Sequence, residues 1–84
     1  MARVVVVVTP GCHLCEDAVA MVAGVCDPLG VEWAAEELST LDEQRQREWR
    51  DWVPVTLVDG AVHDIFRVTP ERLRTALEND GSAG

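Results

Sequence analysis

Lysine and tyrosine are both absent from this chain of 84 residues, and every basic residue is an arginine. Seven arginines stand against fifteen aspartates and glutamates, which gives a formal charge of −8 at pH 7. A surface with this excess of negative charge repels nucleic acid backbones and anionic membrane surfaces. We therefore expect partners that are neither nucleic acids nor membranes.

A long apolar segment near the N-terminus is also missing. The run from Val4 to Val8 has five residues, too few for the core of a secretory signal or for a helix that crosses a bilayer. This favours the cytoplasm, where structural disulfides are rare. The three cysteines are an odd number, which also argues against a framework of disulfides.

A strand and a helix open the chain. Residues 3–8 are mostly β-branched, which predicts a strand that is covered on both faces. Over residues 12–25 apolar side chains recur every third or fourth position, with Leu14 and Met21 among them. This periodicity predicts a helix with one buried stripe.

A second strand follows the first helix. The sequence from Asp27 to Gly30 contains proline and glycine and is predicted to end the helix. Residues 31–36 are predicted to form the next strand. A right-handed crossover through the helix then makes the two strands parallel.

The middle of the chain predicts a second helix. Thr40, followed three residues later by Glu43, fits a capping box at a helix start. Leu41, Trp49 and Trp52 lie on the predicted inner side of this helix. We expect the tryptophans to anchor the core or its edge, although Trp52 could be an exception because it precedes the Val53-Pro54 turn.

A hairpin and a third helix complete the pattern. Residues 55–58 and 61–67 are predicted strands, and Asp59-Gly60 between them is a strong signal for a two-residue hairpin. Thr69 before Pro70 predicts the start of the last helix, because proline suits the first helical position.

The order of elements, β-α-β-α-β-β-α, predicts an α/β fold with a four-stranded mixed sheet and helices on both faces. The length fits one domain. We assign this domain to residues 1–78 and a flexible polar tail to residues 79–84.

Two cysteines, Cys12 and Cys15, stand where the first strand turns into the first helix. The N–H groups and the dipole at a helix start stabilise an anion, and the thiolate is the attacking species in disulfide exchange. A protonated His13 would stabilise the thiolate further, unless its ring points into solvent. Cys15 lies one turn later on the same face. The spacing predicts Cys12 as the nucleophile and Cys15 as the resolving thiol.

A zinc site is another use of a Cys-x-x-Cys pair. The other soft ligands are His13, Cys26 and His63. Cys26 lies about 16 Å from Cys15 along a helix, too far to share a metal ion with it. We therefore predict no metal site. Cys26 is expected to be a buried apolar residue, and His63 a solvated residue of an edge strand.

Three motifs, in this element order, resemble the thioredoxin fold and most closely the small glutaredoxin-like proteins. They are Thr9-Pro10-Gly11-Cys12-His13-Leu14-Cys15 after the first strand, Val53-Pro54-Val55 at the third strand, and the Asp59-Gly60 hairpin. The resemblance covers about residues 3–78, nearly the whole chain. It implies a thioredoxin-like fold for this protein.

The resemblance also implies how substrates are held. In such proteins the corresponding proline follows a cis peptide bond and faces the cysteines, which implies a cis Val53-Pro54 bond in this chain. The N–H and C=O of Val53 would then point outward and pair with the peptide or thiol conjugate being reduced. Further substrate contacts are implied around the thiols and before the last helix: Thr9, Pro10, His13 and Arg67.

Several positions depart from the pattern of glutathione-binding relatives. His13-Leu14 replaces a proline and an aromatic residue, and Thr9 stands where a basic residue is common. Residues 66–69 lack the glycine pair and following acid that help to hold glutathione, although Arg67 could bind a carboxylate. The glutathione pocket is therefore incomplete, whereas the dithiol is intact.

These residues predict a dithiol–disulfide oxidoreductase that reduces protein disulfides or small mixed disulfides. We expect a cytoplasmic monomer with no tightly bound cofactor, re-reduced by a thiol or by a flavoenzyme. Two alternatives stay open. One is a protein that shares an iron–sulfur cluster between two chains through Cys12, and the other is a thioredoxin-fold binding module with inert cysteines.

Overall fold

The computed structural model describes residues 2–79, whose elements follow the predicted order. The strands are β1 (Val4–Val8), β2 (Trp33–Glu37), β3 (Val55–Val58) and β4 (Ala61–Ile65). The helices are α1 (His13–Leu29), α2 (Glu43–Trp49) and α3 (Pro70–Asn79), with a 3-10 turn (Leu38–Thr40) before α2. The predicted α/β architecture is confirmed.

The four strands form one mixed sheet in the order β2-β1-β3-β4. β1 and β2 are parallel, with Val8 opposite Glu37, as the crossover through α1 predicts. β3 is antiparallel to both β1 and β4. The ends of β1 and β2 therefore lie side by side where α1 begins.

Helices cover both faces of the sheet, because alternate residues of β1 point in opposite directions. On one face Val6 packs with Val22 of α1 and Leu73 of α3. On the other face Val7 packs with Trp49 of α2. These side chains are at most 5% exposed, so β1 is the centre of two cores.

The hairpin between β3 and β4 is confirmed. Asp59 and Gly60 have φ angles of 51° and 86°, the positive values that a type I′ turn requires at both central residues. β4 ends at Ile65, before the predicted end, because Phe66 leaves the extended region with a φ of 65°.

α1 continues past its predicted end, through Pro28 to Leu29. Gly30 closes the helix with a φ of 68°. Its N–H donates to the carbonyl of Asp27 at 3.1 Å, and the N–H of Val31 donates to the carbonyl of Cys26 at 3.0 Å. Pro28 lies in the last turn, where it removes one bond from the helix ladder. The predicted break before Gly30 is therefore wrong, and β2 begins later than predicted.

α2 is capped by Asp42 and not by Thr40. The Asp42 carboxylate accepts the N–H of Arg45 at 2.9 Å. The Thr40 hydroxyl instead donates to the carbonyl of Glu37 at 2.7 Å, across the 3-10 turn. The predicted capping box of Thr40 and Glu43 is wrong, because the 3-10 turn moves the helix start towards the C-terminus.

The tryptophans differ in their packing. Trp49 is buried, and the Arg45 guanidinium lies 5.1 Å from its ring centre. Trp33 is half-buried and donates its indole N–H to Asp27 at 3.0 Å. Both fit the expected role of anchors. Trp52 does not, because it follows the end of α2 and is 43% exposed.

His63 lies at a bulge in the hairpin. Thr56 faces Asp64 and Leu57 faces Val62, so His63 is the extra residue of β4. The residue is half-buried, and its Nε2 is buried without a hydrogen-bond partner among the described residues. The prediction of a solvated His63 is therefore wrong, because sequence alone does not show the bulge.

α3 begins at Pro70, as predicted, and the carbonyl of Thr69 accepts the N–H of Leu73 at 3.0 Å. The helix ends at Asn79, the first residue of the predicted tail. The remaining residues of the predicted tail, 80–84, lie outside the described part.

Within residues 2–79, no helix combines the length and the apolar character needed to cross a membrane.

Candidate active site

Cys12 occupies the N-cap of α1. Its extended backbone, with φ −103° and ψ 113°, lets Sγ accept the N–H of Cys15 at 3.2 Å. Gly11 before it has a φ of 71°, which glycine adopts without strain. The sulfur therefore takes the position that a side-chain oxygen holds at other helix starts.

Cys15 lies in the first turn of α1 and is only 2% exposed, whereas Cys12 is half-buried. Both are free thiols. The pair therefore presents one accessible sulfur with a covered sulfur directly behind it.

The surroundings of Cys12 lower the pKa of its thiol. The largest cause is the hydrogen bond from the Cys15 side chain. The backbone N–H groups of Cys15 and Leu14 and the hydroxyl of Thr9 act in the same direction, while burial opposes them. The three kinds of donor favour the charged thiolate over the neutral thiol.

The pKa of Cys15 is shifted in the opposite direction. Burial is the largest cause of its raised pKa, followed by its hydrogen bond to Cys12. Hydrogen bonds with Thr9 offset part of this rise. Cys12 is therefore the thiol of the pair that loses its proton at the lower pH.

A cleft of about 400 Å³ opens over the two sulfurs. It is lined by Val8, Thr9, Pro10, Gly11, Cys12, Cys15, Glu16, Val19 and Glu37. The structure thus brings the predicted Thr9 and Pro10 together with both cysteines. Sequence reasoning missed Glu37, which reaches the cleft because it lies opposite Val8 at the ends of parallel strands.

His13 points into solvent, one of the two orientations that the sequence left open. Its side chain is 96% exposed, and its Nδ1 lies 3.5 Å from a carboxylate oxygen of Glu16. The groups that lower the pKa of Cys12 belong to Cys15, Leu14 and Thr9. His13 is not among these groups.

The peptide bond between Val53 and Pro54 is cis, as the resemblance implied. The N–H of Val53 donates to the carbonyl of Trp49 at 3.1 Å. The expectation that this N–H points outward to a substrate is therefore wrong, because the end of α2 already binds it. Neither Val53 nor Pro54 lines the cleft over the sulfurs.

A second cavity of about 550 Å³, which we call the apolar groove, lies on the other flank of the start of α1. It is lined by Leu14, Asp17, Ala18, Ala20, Met21, Phe66, Arg67 and Val68. Arg67 lies here and not in the cleft. Leu14 and Met21 were predicted on a buried stripe, but they are 40% and 38% exposed. Helical periodicity identifies their shared face and not what covers it.

Cys26 is separate from this site. It is fully buried among apolar residues, and burial raises the pKa of its thiol. Across residues 2–79, no group of three or more histidines, cysteines, aspartates or glutamates is placed to hold a metal ion.

Comparison with known proteins identifies a matching family. The family model described as Glutaredoxin-like domain (DUF836) matches residues 3–78, which include both cavities and all three cysteines. No curated protein matches the chain.

Solved structures share the fold. The structural genomics target XcR50 from X. campestris has a TM-score of 0.70 at 21% identity, over 90% of this chain and 96% of its own. The glutaredoxin of Archaeoglobus fulgidus has a TM-score of 0.58 at 17% identity, over 92% of this chain and 87% of its own. The holo form of glutaredoxin C1 from populus tremula x tremuloides has a TM-score of 0.50 at 19% identity, over 98% of this chain and 80% of its own. Identities this low establish the fold alone.

Proposed function

Because the chain belongs to the family of the glutaredoxin-like domain, we propose that it is a dithiol–disulfide oxidoreductase. Its substrates are disulfides of proteins or mixed disulfides of small thiols. One observation carries the proposal. The Cys12 sulfur caps α1 by accepting the N–H of Cys15 at 3.2 Å, and the Cys15 side chain lies covered in the same helical turn.

The first step is attack by the Cys12 thiolate on one sulfur of the substrate disulfide. The substrate disulfide breaks, one substrate thiolate leaves and takes a proton from solvent, and a mixed disulfide forms at Cys12. The charge on Cys12 is then lost. Two of the causes that raise the pKa of Cys15, its hydrogen bond to the Cys12 thiolate and the charge there, disappear with it.

The second step is attack by Cys15 on the Cys12 sulfur. Cys15 loses its proton, the mixed disulfide breaks, and the second substrate thiol leaves. The protein now holds a Cys12–Cys15 disulfide, so two electrons have passed from the dithiol to the substrate. A low-molecular-weight thiol or a flavoenzyme returns these electrons, and no tightly bound cofactor takes part.

Single cysteine variants test this sequence of steps. We expect Cys12→Ser to reduce a model disulfide no faster than buffer. Cys15→Ser should keep the first step and accumulate a mixed disulfide at Cys12, visible as an added mass on the intact protein. Cys26→Ala serves as the control and should retain turnover.

Equal turnover by wild type and Cys12→Ser would end the proposal. An adduct found on Cys26 and not on Cys12 in the Cys15→Ser variant would also contradict it.

A further inference from the structure

The apolar groove exposes large side chains beside the reactive thiols. Leu14, Met21 and Phe66 are 40%, 38% and 45% exposed, and all three line the groove. Leu14 lies between the two cysteines in the sequence, so the groove and the cleft over the sulfurs share one helix start. Clustered exposed apolar residues mark surfaces that bind another molecule.

Phe66 holds its place in the groove at a cost in backbone strain. Its φ is 65°, a region that bulky residues avoid and glycine adopts freely. Its N–H is held by the carbonyl of Pro54 at 2.9 Å, within the segment of the cis peptide bond. Glycine would fit this backbone better, and Phe66 belongs to neither of the two hydrophobic cores. Strain of this kind concentrates at functional sites.

The charges around the thiols do not suit an acidic ligand. Among the described residues that line the cleft and the groove, the acids are Glu16, Glu37 and Asp17, and the one base is Arg67. Glutathione carries more carboxylates than ammonium groups and has no large apolar side chain. It would meet repulsion in the cleft and leave the groove empty.

We propose that the apolar groove binds a large apolar side chain next to the disulfide of a polypeptide substrate. The protein then reduces neutral or basic polypeptide disulfides of this kind in preference to glutathione disulfide. The inference rests on the proposed dithiol chemistry, whose bonds and electrons change as described above. The groove adds affinity for the substrate and takes no part in electron transfer.

Steady-state reduction of four probes by the wild-type protein tests the preference, with dithiothreitol as the reductant that returns electrons to the dithiol and with its direct reaction with each probe subtracted. The probes are two disulfide-linked model peptides that differ only by leucine or serine next to cysteine, glutathione disulfide, and hydroxyethyl disulfide. We expect kcat/KM for the leucine peptide to exceed that for the serine peptide by about tenfold, since burial of a leucine side chain is worth this much or more. Glutathione disulfide should rank below the leucine peptide.

Three variants test whether the groove is responsible. Phe66→Gly should remove most of the leucine advantage, through KM, while the rate with hydroxyethyl disulfide stays unchanged. Its thermal unfolding is measured on the same samples, because glycine relieves the strain at φ 65° but also removes the partly buried ring. Met21→Gln should act in the same direction. Leu29→Gln is the matched control, since Leu29 is an exposed apolar residue of α1 that does not line the groove.

Two outcomes would overturn the inference and leave the proposed function standing. One is equal kcat/KM for the leucine and serine peptides with wild type, or a preference for glutathione disulfide. The other is a Phe66→Gly variant that keeps the leucine advantage or slows hydroxyethyl disulfide equally. Failure of wild type to reduce even hydroxyethyl disulfide would overturn the proposed function and this inference with it.

Discussion

The two ends of α1 each carry a cysteine near a helix cap, and they use it differently. At the N-terminal end the Cys12 sulfur is itself the cap and stays partly accessible. At the C-terminal end Gly30 caps through its backbone, and Cys26 is fully buried. A thiol that caps a helix start gains hydrogen bonds that favour its anion. A cysteine that takes part in a cap only through its backbone carbonyl keeps its thiol as an apolar group of the core.

The largest expected effect is the loss of activity without loss of stability at the N-terminal end. Cys12→Ser should abolish disulfide reduction, yet change the free energy of unfolding by less than about 0.5 kcal/mol, because serine is a good N-cap. Activity assays and urea unfolding of the same samples check this. A variant that unfolds readily would show that Cys12 serves the fold more than the chemistry.

The reverse is expected at the C-terminal end. Cys26→Ser should lower the free energy of unfolding by about 1–3 kcal/mol, since it places a hydroxyl among buried apolar groups. Turnover per folded molecule should not change. Reduced turnover in fully folded protein would mean that the two ends are coupled, against this comparison.

A smaller effect distinguishes two glycines of the same region. Gly30→Ala should destabilise the protein by about 1 kcal/mol, because alanine is strained at the cap φ of 68°. Gly24→Ala should instead stabilise it by about 0.5–1 kcal/mol, since alanine favours a helix interior. A Cβ at either position meets no atom within 4 Å, so neither effect includes a clash. Thermal unfolding of both variants at one pH measures the signs, and equal signs would refute the assigned cap.

The smallest effects concern the donors around Cys12. Cys15→Ala should raise the pKa of Cys12, because it removes the hydrogen bond that lowers it most. Thr9→Val should raise it less, since the Thr9 hydroxyl is the weakest of the causes. Ultraviolet absorbance of the thiolate against pH measures both shifts. A larger shift in Thr9→Val than in Cys15→Ala would reverse the assigned order.

Sequence patterns predicted the features that depend on neighbours along the chain. The parallel β1 and β2, the Asp59-Gly60 hairpin and the position of the dithiol after β1 each follow from local spacing. The predicted ends of helices were wrong where two nearby residues could each end or start the helix. The cap at Gly30 outweighs Pro28 in deciding where α1 ends.

The site was predicted less completely, because it is assembled from segments far apart in the sequence. Glu37 enters the cleft through strand register, and Phe66 enters the groove through a positive φ. The register between two strands is not visible in the residues around Glu37. A positive φ is expected at glycine, and nothing in the sequence around Phe66 indicates one there. The resemblance supplied the cis Val53-Pro54 bond, and the N–H of Val53 was misjudged because its partner, Trp49, lies on α2.

The central claim is that the start of α1 makes Cys12 an acidic thiol, and the rate of its alkylation against pH tests this most directly. Mass spectrometry would assign each labelled cysteine in the folded wild-type protein and in an unfolded peptide of the same local sequence. Below its pKa a thiol is protonated and slow, so a lowered pKa shifts the rise in rate to lower pH. We predict that Cys12 reaches full reactivity at lower pH than the peptide thiol, while Cys15 and Cys26 stay unlabelled there. A Cys12 profile that matches the peptide, or lies at higher pH, would contradict the account.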